Sequence, residues 1–447
     1  MSRRSKSAVV AAYLLLCLLL GGSAQYPWTT LALQVGGIAL VAWAALAPRI
    51  DEEHESRAGP VYLLLLCTIA WILLQLVPLP PGLWTGIPDR TRLADGYAIL
   101  GYSQPALAVS EDPNASLMAL FAALPAIGAF VATDRIRAAP RAIAVAILAG
   151  MVAGVFLSAA QLAGGGRNWA HLYSVTNRGA VGFFANHNHM ATLLLVSIPV
   201  GAALFSSIRP SRGGSSAARY AIGASLLVLV LIGIALNGSR AAFQLCVPVV
   251  LGSSALVPVG NRLKRLVLPV SAVALVGAAV LLASNPISED DPSTPPELRT
   301  TIWANTQQGI ADSFPAGTGL GTFEQVYRHY ENPADVTTRY VNHAHNDYLE
   351  TVVELGAPGL VLLVLFLAWW ALAAARIWRS PSSSGFARAA TIATAAMLAH
   401  SAVDFPLRTA AMASVFAALV ALMAQRPVTT AAATNGKQKT VRHVRLG

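Results

Sequence analysis

The residues with the most potential for chemistry lie in one polar stretch, residues 284–359, set between long apolar segments. This stretch combines arginine, histidine, aspartate, glutamate and aromatic side chains, and no other long segment of the chain does. Its last part, residues 342–350, reads NHAHNDYLE and directly precedes an apolar run. A neutral imidazole near physiological pH can take a proton from a hydroxyl group. The NHAHNDYLE motif is therefore the first candidate for an active site.

The amide and acidic side chains of this motif also have a structural explanation. Asn346 or Asp347 can cap the helix that follows, and Glu350 in its first turn favours the positive end of the helix dipole. Capping does not explain His343 and His345. If the segment is extended, both imidazoles point the same way, which leaves open which of them is the base.

Two arginines outside the motif are candidate anion-binding groups. Arg240 ends a tight Asn-Gly-Ser-Arg turn, and Ser239 can cap the helix that begins there. Arg299 lies in an amphipathic pattern that predicts a helix running to about Phe314. A guanidinium offers a planar fork of donors that matches phosphate oxygens. The structural alternative for Arg240 is an interfacial arginine that snorkels to the lipid headgroups, and for Arg299 it is an ordinary solvated charge.

Two His-x-His pairs raise the question of a metal site, His187 with His189 and His343 with His345. Neither pair has the i, i+4 spacing of ligands on a helix, and no cysteine accompanies them. We therefore expect no metal and no other cofactor.

Two further patterns have plain structural interpretations. The glycines at 317, 319 and 321 suggest a nucleotide-binding loop but lack the lysine of a P-loop, so we expect a tight turn between two outer helices. His400 and Asp404 stand four residues apart on a predicted helix, and we interpret them as a buried hydrogen-bonded pair.

The composition identifies the class of protein that positions these residues. The chain has 447 residues, of which 55% are hydrophobic and 12% charged, and its mean hydropathy is +0.57. Soluble domains carry about a quarter charged residues, so this is a membrane protein. Its net charge of +10 would suggest nucleic acid for a soluble chain, but here the charge follows membrane topology and we expect no nucleic-acid partner.

The apolar runs predict an all-α integral membrane protein with about twelve transmembrane helices and one large helical periplasmic loop. The predicted spans are residues 8–24, 29–48, 60–79, 116–133, 142–163, 189–207, 219–237, 241–258, 266–283, 354–375, 389–405 and 409–425. Residues 1–283 would hold helices one to nine, with outer loops at about 80–115 and 164–188. Residues 284–350 would form the large loop that carries the site, and residues 351–425 the last three helices. The basic tail at 426–447 is expected to be cytosolic and disordered.

The distribution of basic residues predicts the orientation. With the N-terminus inside, nine of the 31 Lys and Arg residues fall on the outer side, and the remaining 22, including every Lys, fall inside. The outer nine are Arg90, Arg92, Arg167, Arg178, Arg240, Arg299, Arg328, Arg339 and Arg408. This bias agrees with the positive-inside rule and places both termini in the cytosol. The polar stretch then faces outward, away from cytosolic ATP.

Several motifs together resemble the O-antigen ligase and O-antigen polymerase superfamily. The stretches that carry the resemblance are 183–191 (FFANHNHMA), 238–243 (GSRAAF), 299–303 with 315–323, and 343–350 (HAHNDYLE) followed by 354–359 (ELGAPG). They occur in the family's order and cover roughly residues 180–425. Residues 1–115 match mainly in hydropathy.

The resemblance implies a metal-independent, inverting glycosyltransferase on the periplasmic face of a bacterial inner membrane. Its donor would be a glycan on undecaprenyl pyrophosphate, and its acceptor a hydroxyl of lipid A-core or of a growing polysaccharide. The catalytic residues would be His345, Arg240 and Arg299. The residues expected to contact the substrates are Arg178, Asn186, His187, His343, Asn346, Asp347, Tyr348 and Glu350.

The branch of the superfamily stays open at this point. A ligase moves a whole glycan in lipopolysaccharide biosynthesis, a polymerase joins repeat units of O-antigen or exopolysaccharide, and other members glycosylate proteins. A membrane transporter of similar hydropathy is the alternative from a different class. A transporter predicts charged residues inside the spanning runs, whereas here they cluster at the outer mouth, so the enzyme is favoured.

The predicted topology can be tested by cysteine labelling. A Ser293→Cys variant, in a background without the three native cysteines, should react with a membrane-impermeant maleimide in spheroplasts with an intact inner membrane. A cysteine added at the C-terminus should react only after permeabilisation. Labelling of Ser293→Cys only after permeabilisation would contradict an outward-facing polar stretch.

Overall fold

The computed structural model describes residues 1–47, 57–88, 90–177, 179–208, 216–257, 296–333 and 340–425. Every regular element in these ranges is helical, apart from one isolated bridge between Leu79 and Leu107, which confirms the all-α class. The predicted span at 266–283, the start of the polar stretch at 284–295, Arg178 and the basic tail lie outside the described residues.

The helices are α1 (Arg3–Leu20), α2 (Pro27–Leu46), α3 (Gly59–Gln75), α4 (Pro81–Trp84), α5 (Thr91–Ile99), α6 (Pro113–Ala122), α7 (Leu124–Arg135), α8 (Pro140–Ala163), α9 (His187–Ser207), α10 (Ser216–Asn237), α11 (Arg240–Ser254), α12 (Pro296–Ser313), α13 (Phe323–Tyr327), α14 (Asp347–Arg379), α15 (Gly385–His400) and α16 (Ala410–Ala424). A 3-10 turn, Pro406–Arg408, lies between α15 and α16.

Six helical segments in the described part of the chain are long and apolar enough to cross a membrane. They are α2, α6 and α7 together, α8, α9, the part of α10 from Tyr220 to Asn237, and α14. Helices α3 and α16 are apolar but shorter. Each predicted span within the described residues coincides with a helix, while a total of twelve transmembrane crossings stays a prediction.

Helix α9 lies at the centre of the bundle and packs against α8, α10, α11 and α15. Its apolar side chains are almost all buried. Helix α15 meets it with a run of buried alanines that includes Ala389, Ala390, Ala393 and Ala396. Small residues let two helix backbones approach closely, which is how helices pack where the hydrophobic effect cannot drive association. This packing fixes the N-terminus of α9 relative to the C-terminus of α15.

Helix α14 begins at Asp347, seven residues before the predicted span, and continues to Arg379. Asn346 caps it, because its side-chain oxygen accepts hydrogen bonds from the backbone N–H groups of Tyr348 and Leu349 at 3.0 and 3.1 Å. The first two turns are polar, and hydropathy alone therefore placed the start too late.

Helix α14 is broken at Gly356, whose backbone is not helical (φ 61°, ψ −150°). The carbonyl groups released by the break find partners in the glycine-rich turn of the large loop: the N–H of Thr318 donates to Val353 at 3.0 Å, and that of Gly319 donates to Glu354 at 2.9 Å. Backbone groups at membrane depth must be paired within the protein. The glycine-rich turn therefore supplies the donors that the broken helix lacks, and we call this set of hydrogen bonds the clamp.

Helix α3 completes this clamp. The indole of Trp71 donates to the carbonyl of Leu355 at 2.9 Å, and the amide of Gln75 donates to the carbonyl of Glu354 at 3.1 Å. The glycine-rich segment also joins α12 to α13. The interpretation as a tight turn between two helices is confirmed.

Replacement of Gly356 by alanine should destabilise the protein. A Cβ atom there would lie 2.2 Å from the carbonyl oxygen of Pro315, at a φ that side chains rarely adopt. Strain of this kind costs about 1–3 kcal/mol, before the clash is counted. We expect a lower melting temperature for the detergent-solubilised Gly356→Ala protein.

Gly385→Ala is the matched control, because nothing lies within 4 Å of a Cβ at that position. Its melting temperature should equal that of the wild type. A Gly356→Ala protein as stable as this control would contradict the clamp.

Candidate active site

Four segments meet at one end of the bundle. They are the N-terminus of α9 with its capping residue Asn186, helix α12 at Arg299, the 342–350 motif, and the 400–408 segment between α15 and α16. The sequence separates these segments by up to 218 positions, and the packing of α9 against α15 and of α12 against α14 brings them together.

Asp404 is the centre of this meeting point, with 1% of its side chain exposed. Its Oδ2 lies 3.7 Å from Nη2 of Arg299, and its Oδ1 lies 3.8 Å from Nδ1 of His345 and 3.8 Å from Nε2 of His189. The amide of Asn186 donates to Oδ1 at 3.4 Å, and the amide of Asn188 donates to Oδ2. One buried carboxylate therefore faces an arginine, two histidines and two amides.

His345 is held in an unusual backbone conformation. Its φ is 49°, in the left-handed region that only a few per cent of non-glycine residues adopt. Burial lowers the pKa of the His345 imidazole to about 4, and the nearby Asp404 carboxylate offsets only part of this effect. The ring is therefore neutral at neutral pH, and Nδ1 faces Asp404. Backbone strain of this kind is concentrated at functional sites.

His343 has a different partner from His345. Its Nδ1 lies 2.7 Å from Oε1 of Glu350. Burial by itself would lower the pKa of His343, but the Glu350 carboxylate outweighs it and raises the pKa above its ordinary value. Both imidazoles would point the same way in an extended segment, but the backbone is left-handed at His345. The two rings face different carboxylates, although both contact Phe405.

The ring of Phe405 lies among three imidazoles. Its centroid is 4.1 Å from that of His343, 4.9 Å from that of His345 and 5.0 Å from that of His189. Such ring contacts favour defined relative orientations. Phe405 therefore helps to fix the positions of the histidines in a region that hydrogen bonds only partly define.

Arg408 forms a second charged centre beside the first. Its Nη1 lies 2.8 Å from Oε2 of Glu354 and 3.4 Å from Oε1 of Glu350, and its Nε lies 3.7 Å from Oδ1 of Asp347. These carboxylates share one face of the first turns of α14. Buried carboxylates need a paired cation to remain charged. Asp347 and Glu350 are therefore ion-pair partners, and a capping role alone does not describe them.

The second centre is also connected to the clamp. The backbone N–H of Gly321 donates to Oε1 of Glu354 at 2.9 Å, while Oε2 of the same carboxylate faces Arg408. The glycine-rich turn, α14 and the 3-10 turn are thus held by one side chain.

Arg240 is the first residue of α11 and is exposed. Ser239 caps this helix by accepting from the N–H of Ala242 at 3.3 Å, as predicted. The preceding Asn237 donates to the carbonyl oxygens of Ala180 and His187 at 2.8 Å each. No hydrogen bond or ion pair joins Arg240 to another described residue, but its turn is fixed against the start of α9, which carries the Asp404 partners.

The other predicted substrate-contacting residues divide into two groups. Asn186 caps α9 and reaches Asp404, which makes it part of the cluster. His187 turns to Asn177 at 3.0 Å, and Tyr348 donates its hydroxyl to the carbonyl of Leu398 at 2.6 Å. These two side chains secure neighbouring segments and are not directed at Asp404. Arg178 lies outside the described residues.

The interpretation of His400 and Asp404 as a buried hydrogen-bonded pair is confirmed for the backbone but not for the side chains. Both are buried, and the N–H of Asp404 donates to the carbonyl of His400 at 3.0 Å. The side chain of His400 instead contacts the hydroxyl of Thr192 at 2.8 Å. The Asp404 carboxylate faces Arg299 and His345. An i, i+4 backbone bond thus joins the two residues just after the end of α15, while their side chains face different partners.

Sequence reasoning missed Arg408, Phe405, Glu354 and the role of His189. A usable signal was present in the 400–408 segment, HSAVDFPLR, which gathers charged and aromatic residues where an apolar helix ends. Among the described residues no three His, Cys, Asp or Glu side chains form a group suited to a metal ion.

Comparison with known proteins identifies the domain that holds the 342–350 motif. The sequence profile of the O-antigen ligase family matches residues 225–364. This range includes Arg240, Arg299, His343, His345 and Glu350, whereas Asp404 lies outside it. The chain matches no curated protein.

The match confirms the resemblance that the motifs carry. Members of this family are glycosyltransferase-like enzymes, and the apolar helices agree with a membrane protein. Residues 225–364 match the O-antigen ligase family, and this match supports the O-antigen ligase superfamily for that part of the chain.

Proposed function

We propose that this protein transfers a glycan from undecaprenyl pyrophosphate to an acceptor hydroxyl, on lipid A-core or on a growing polysaccharide, at the periplasmic face of a bacterial inner membrane. The observation that carries the proposal is the pairing of a neutral histidine with an arginine across Asp404, inside an O-antigen ligase domain. The reaction inverts the anomeric centre and uses no metal ion.

His345 is the base in this proposal. A sugar hydroxyl attacks only when a base removes its proton, and the His345 ring is neutral and therefore able to accept it. Nδ1 faces Asp404, which leaves Nε2 for the acceptor. Once His345 is protonated, the Asp404 carboxylate stabilises the imidazolium, as carboxylates behind catalytic histidines do.

The arginines neutralise the donor. Pyrophosphate is already a capable leaving group, so catalysis depends mainly on stabilising the charge that builds up on it. Arg299 keeps 27% of its side chain exposed while one edge faces Asp404, and a guanidinium in this position can present its free edge to phosphate oxygens. Arg240 is exposed on a fixed turn and supplies the second cation.

Asp404 links the two functions. It lies 3.8 Å from the base and 3.7 Å from the arginine, so it sets the position of both groups relative to each other. Effective catalysis requires such pre-organised geometry, because misplacement by about 1 Å can cost on the order of 10²-fold in rate.

The closest alternative is the repeat-unit polymerase of the same superfamily, which differs in the acceptor and would use the same groups. A transporter is not favoured. In a transporter, charged residues would lie along a pathway through the membrane. Here the carboxylates of α14 precede the break at Gly356 and form ion pairs with Arg408.

The function can be tested with purified protein, lipid-linked glycan donor and the separate acceptors. Transfer should proceed in EDTA and without ATP, because charge neutralisation comes from arginine. His345→Ala should still bind donor but lose about 10²–10⁴-fold in turnover. Arg240→Lys and Arg299→Lys should each lose about tenfold or more, the worth of one charge-assisted hydrogen bond.

Arg328→Lys is the matched control, because Arg328 is exposed on the same loop and pairs with Glu324. It should be as active as the wild type. Near-normal turnover of His345→Ala would remove this residue as the base, and activity that returns only with Zn²⁺ or Mg²⁺ would overturn the metal-free reaction.

Asp404→Asn should lower kcat by about tenfold or more, up to the ~10⁴-fold lost when the carboxylate behind a catalytic histidine becomes an amide. The amide keeps the size of the side chain but cannot stabilise the imidazolium, so kcat should fall more than donor affinity. Asp312→Asn, an exposed position on α12, is the control and should behave as wild type. A kcat within twofold of wild type for Asp404→Asn would separate Asp404 from the reaction.

A further inference from the structure

The two histidines of the 342–350 motif are held by carboxylates in unequal ways. His343 makes a 2.7 Å contact with Glu350, whose side chain is 1% exposed. His345 comes no nearer than 3.8 Å to Asp404, a carboxylate that also faces Arg299 and His189. The first arrangement favours an imidazolium much more strongly than the second does.

Glu350 is itself fixed in a charged, fully engaged state. The backbone N–H of Ala344 donates to its Oε2 at 2.8 Å, and Nη1 of Arg408 lies 3.4 Å from its Oε1. A carboxylate held in this way can only accept, so the Nδ1 of His343 carries the hydrogen of the 2.7 Å bond. The Nε2 of His343 then carries a hydrogen only when the ring is charged.

The two imidazoles are near enough to serve one ligand. Both contact the ring of Phe405, with centroid distances of 4.1 Å for His343 and 4.9 Å for His345. His343 keeps 27% of its side chain exposed and His345 15%. A ligand that reaches one ring therefore lies beside the other.

We propose that His343 acts as an imidazolium whose Nε2–H donates a hydrogen bond to an anionic oxygen of the leaving pyrophosphate, while His345 acts as the neutral base. This inference rests on the proposed function and assigns opposite charge states to the two histidines. When two titratable groups of one site have environments that push their pKa values apart, the pair divides into an acid and a base. The pKa of His343 is raised and that of His345 is lowered.

The transfer step balances as follows in this assignment. The acceptor oxygen forms a bond to the anomeric carbon, and its proton moves to Nε2 of His345. The bond between the anomeric carbon and the pyrophosphate oxygen breaks, and its electron pair stays on that oxygen. His343 keeps its proton and stabilises the new negative charge through the hydrogen bond, together with the arginines.

The pH dependence of His343 depends on a defined set of neighbours. Burial and the Arg408 guanidinium lower its pKa, and the α14 carboxylates Glu350 and Glu354 raise it. The imidazoles of His345 and His189 also lie near it. Glu350 has the largest effect among them because it alone makes a direct hydrogen bond.

The test is the pH–rate profile of glycan transfer by the full-length protein. The wild type should give a bell, in which activity falls at low pH as His345 is protonated and at high pH as His343 loses its proton. Glu350→Gln removes the charge that holds the His343 proton, so the alkaline inflection should move to lower pH by about one unit or more, the worth of a hydrogen bond between charged groups. The acid inflection should move much less, because the carboxylate that His345 faces is Asp404 and Glu350 has only a minor effect on its pKa.

His343→Arg is the second variant and keeps a permanent cation beside Glu350. It should retain part of the activity and lose the alkaline inflection altogether, whereas His343→Gln should be impaired at every pH. Glu324→Gln removes an exposed carboxylate from the same loop and should leave both inflections unchanged.

Three results would overturn the assignment. An acid inflection that moves further than the alkaline one in Glu350→Gln would make His343 the base. Unchanged inflections in Glu350→Gln, or an alkaline inflection that persists in His343→Arg, would reduce His343 to a structural role. A wild-type protein that transfers no glycan under any condition would instead count against the proposed function, which keeps the two failures distinguishable.

Discussion

The structure around the site depends on the need to compensate buried carboxylates. Asp404, Glu350 and Glu354 are each at most 1% exposed, and an isolated buried carboxylate costs several kcal/mol. Arg408 meets this need for the two glutamates, and Arg299 contributes to it for Asp404. Because these partners come from separate helices, the pairing fixes α12, α14 and the 400–408 segment relative to one another.

The same principle applies to the backbone. A glycine at 356 breaks α14 within an apolar helix, and the carbonyl groups that the break releases must be paired inside the protein. The glycine-rich turn and α3 supply the donors, and Glu354 ties the turn back to Arg408. The large loop is thereby attached to the membrane helices at the position where the charged groups lie. Arg299, on the helix that precedes this turn, gains a fixed position from the attachment.

The proposed chemistry follows from the unequal distances between the buried carboxylates and the two histidines. The Asp404 carboxylate lies 3.7–3.8 Å from Arg299, His345 and His189 and is close to none of them. The His345 ring therefore stays neutral and can accept a proton. Glu350 holds His343 closely at 2.7 Å, which favours the charged ring. Two residues of one short motif thus acquire opposite electrostatic environments because the left-handed backbone at His345 directs them to different carboxylates.

The amino-acid sequence by itself determined the all-α membrane class, the helix caps at Ser239 and Asn346, and the motifs that mark an O-antigen ligase domain, because these depend on hydropathy, local hydrogen bonding and short-range residue order. Only the tertiary structure decided which carboxylate each histidine faces, since the partners of the 342–350 motif lie on other helices. Asp404 illustrates the difference. Its spacing from His400 suggested a local pair, and a backbone hydrogen bond does join the two residues, but the Asp404 carboxylate faces Arg299 and His345, which the packing of other helices brings to it.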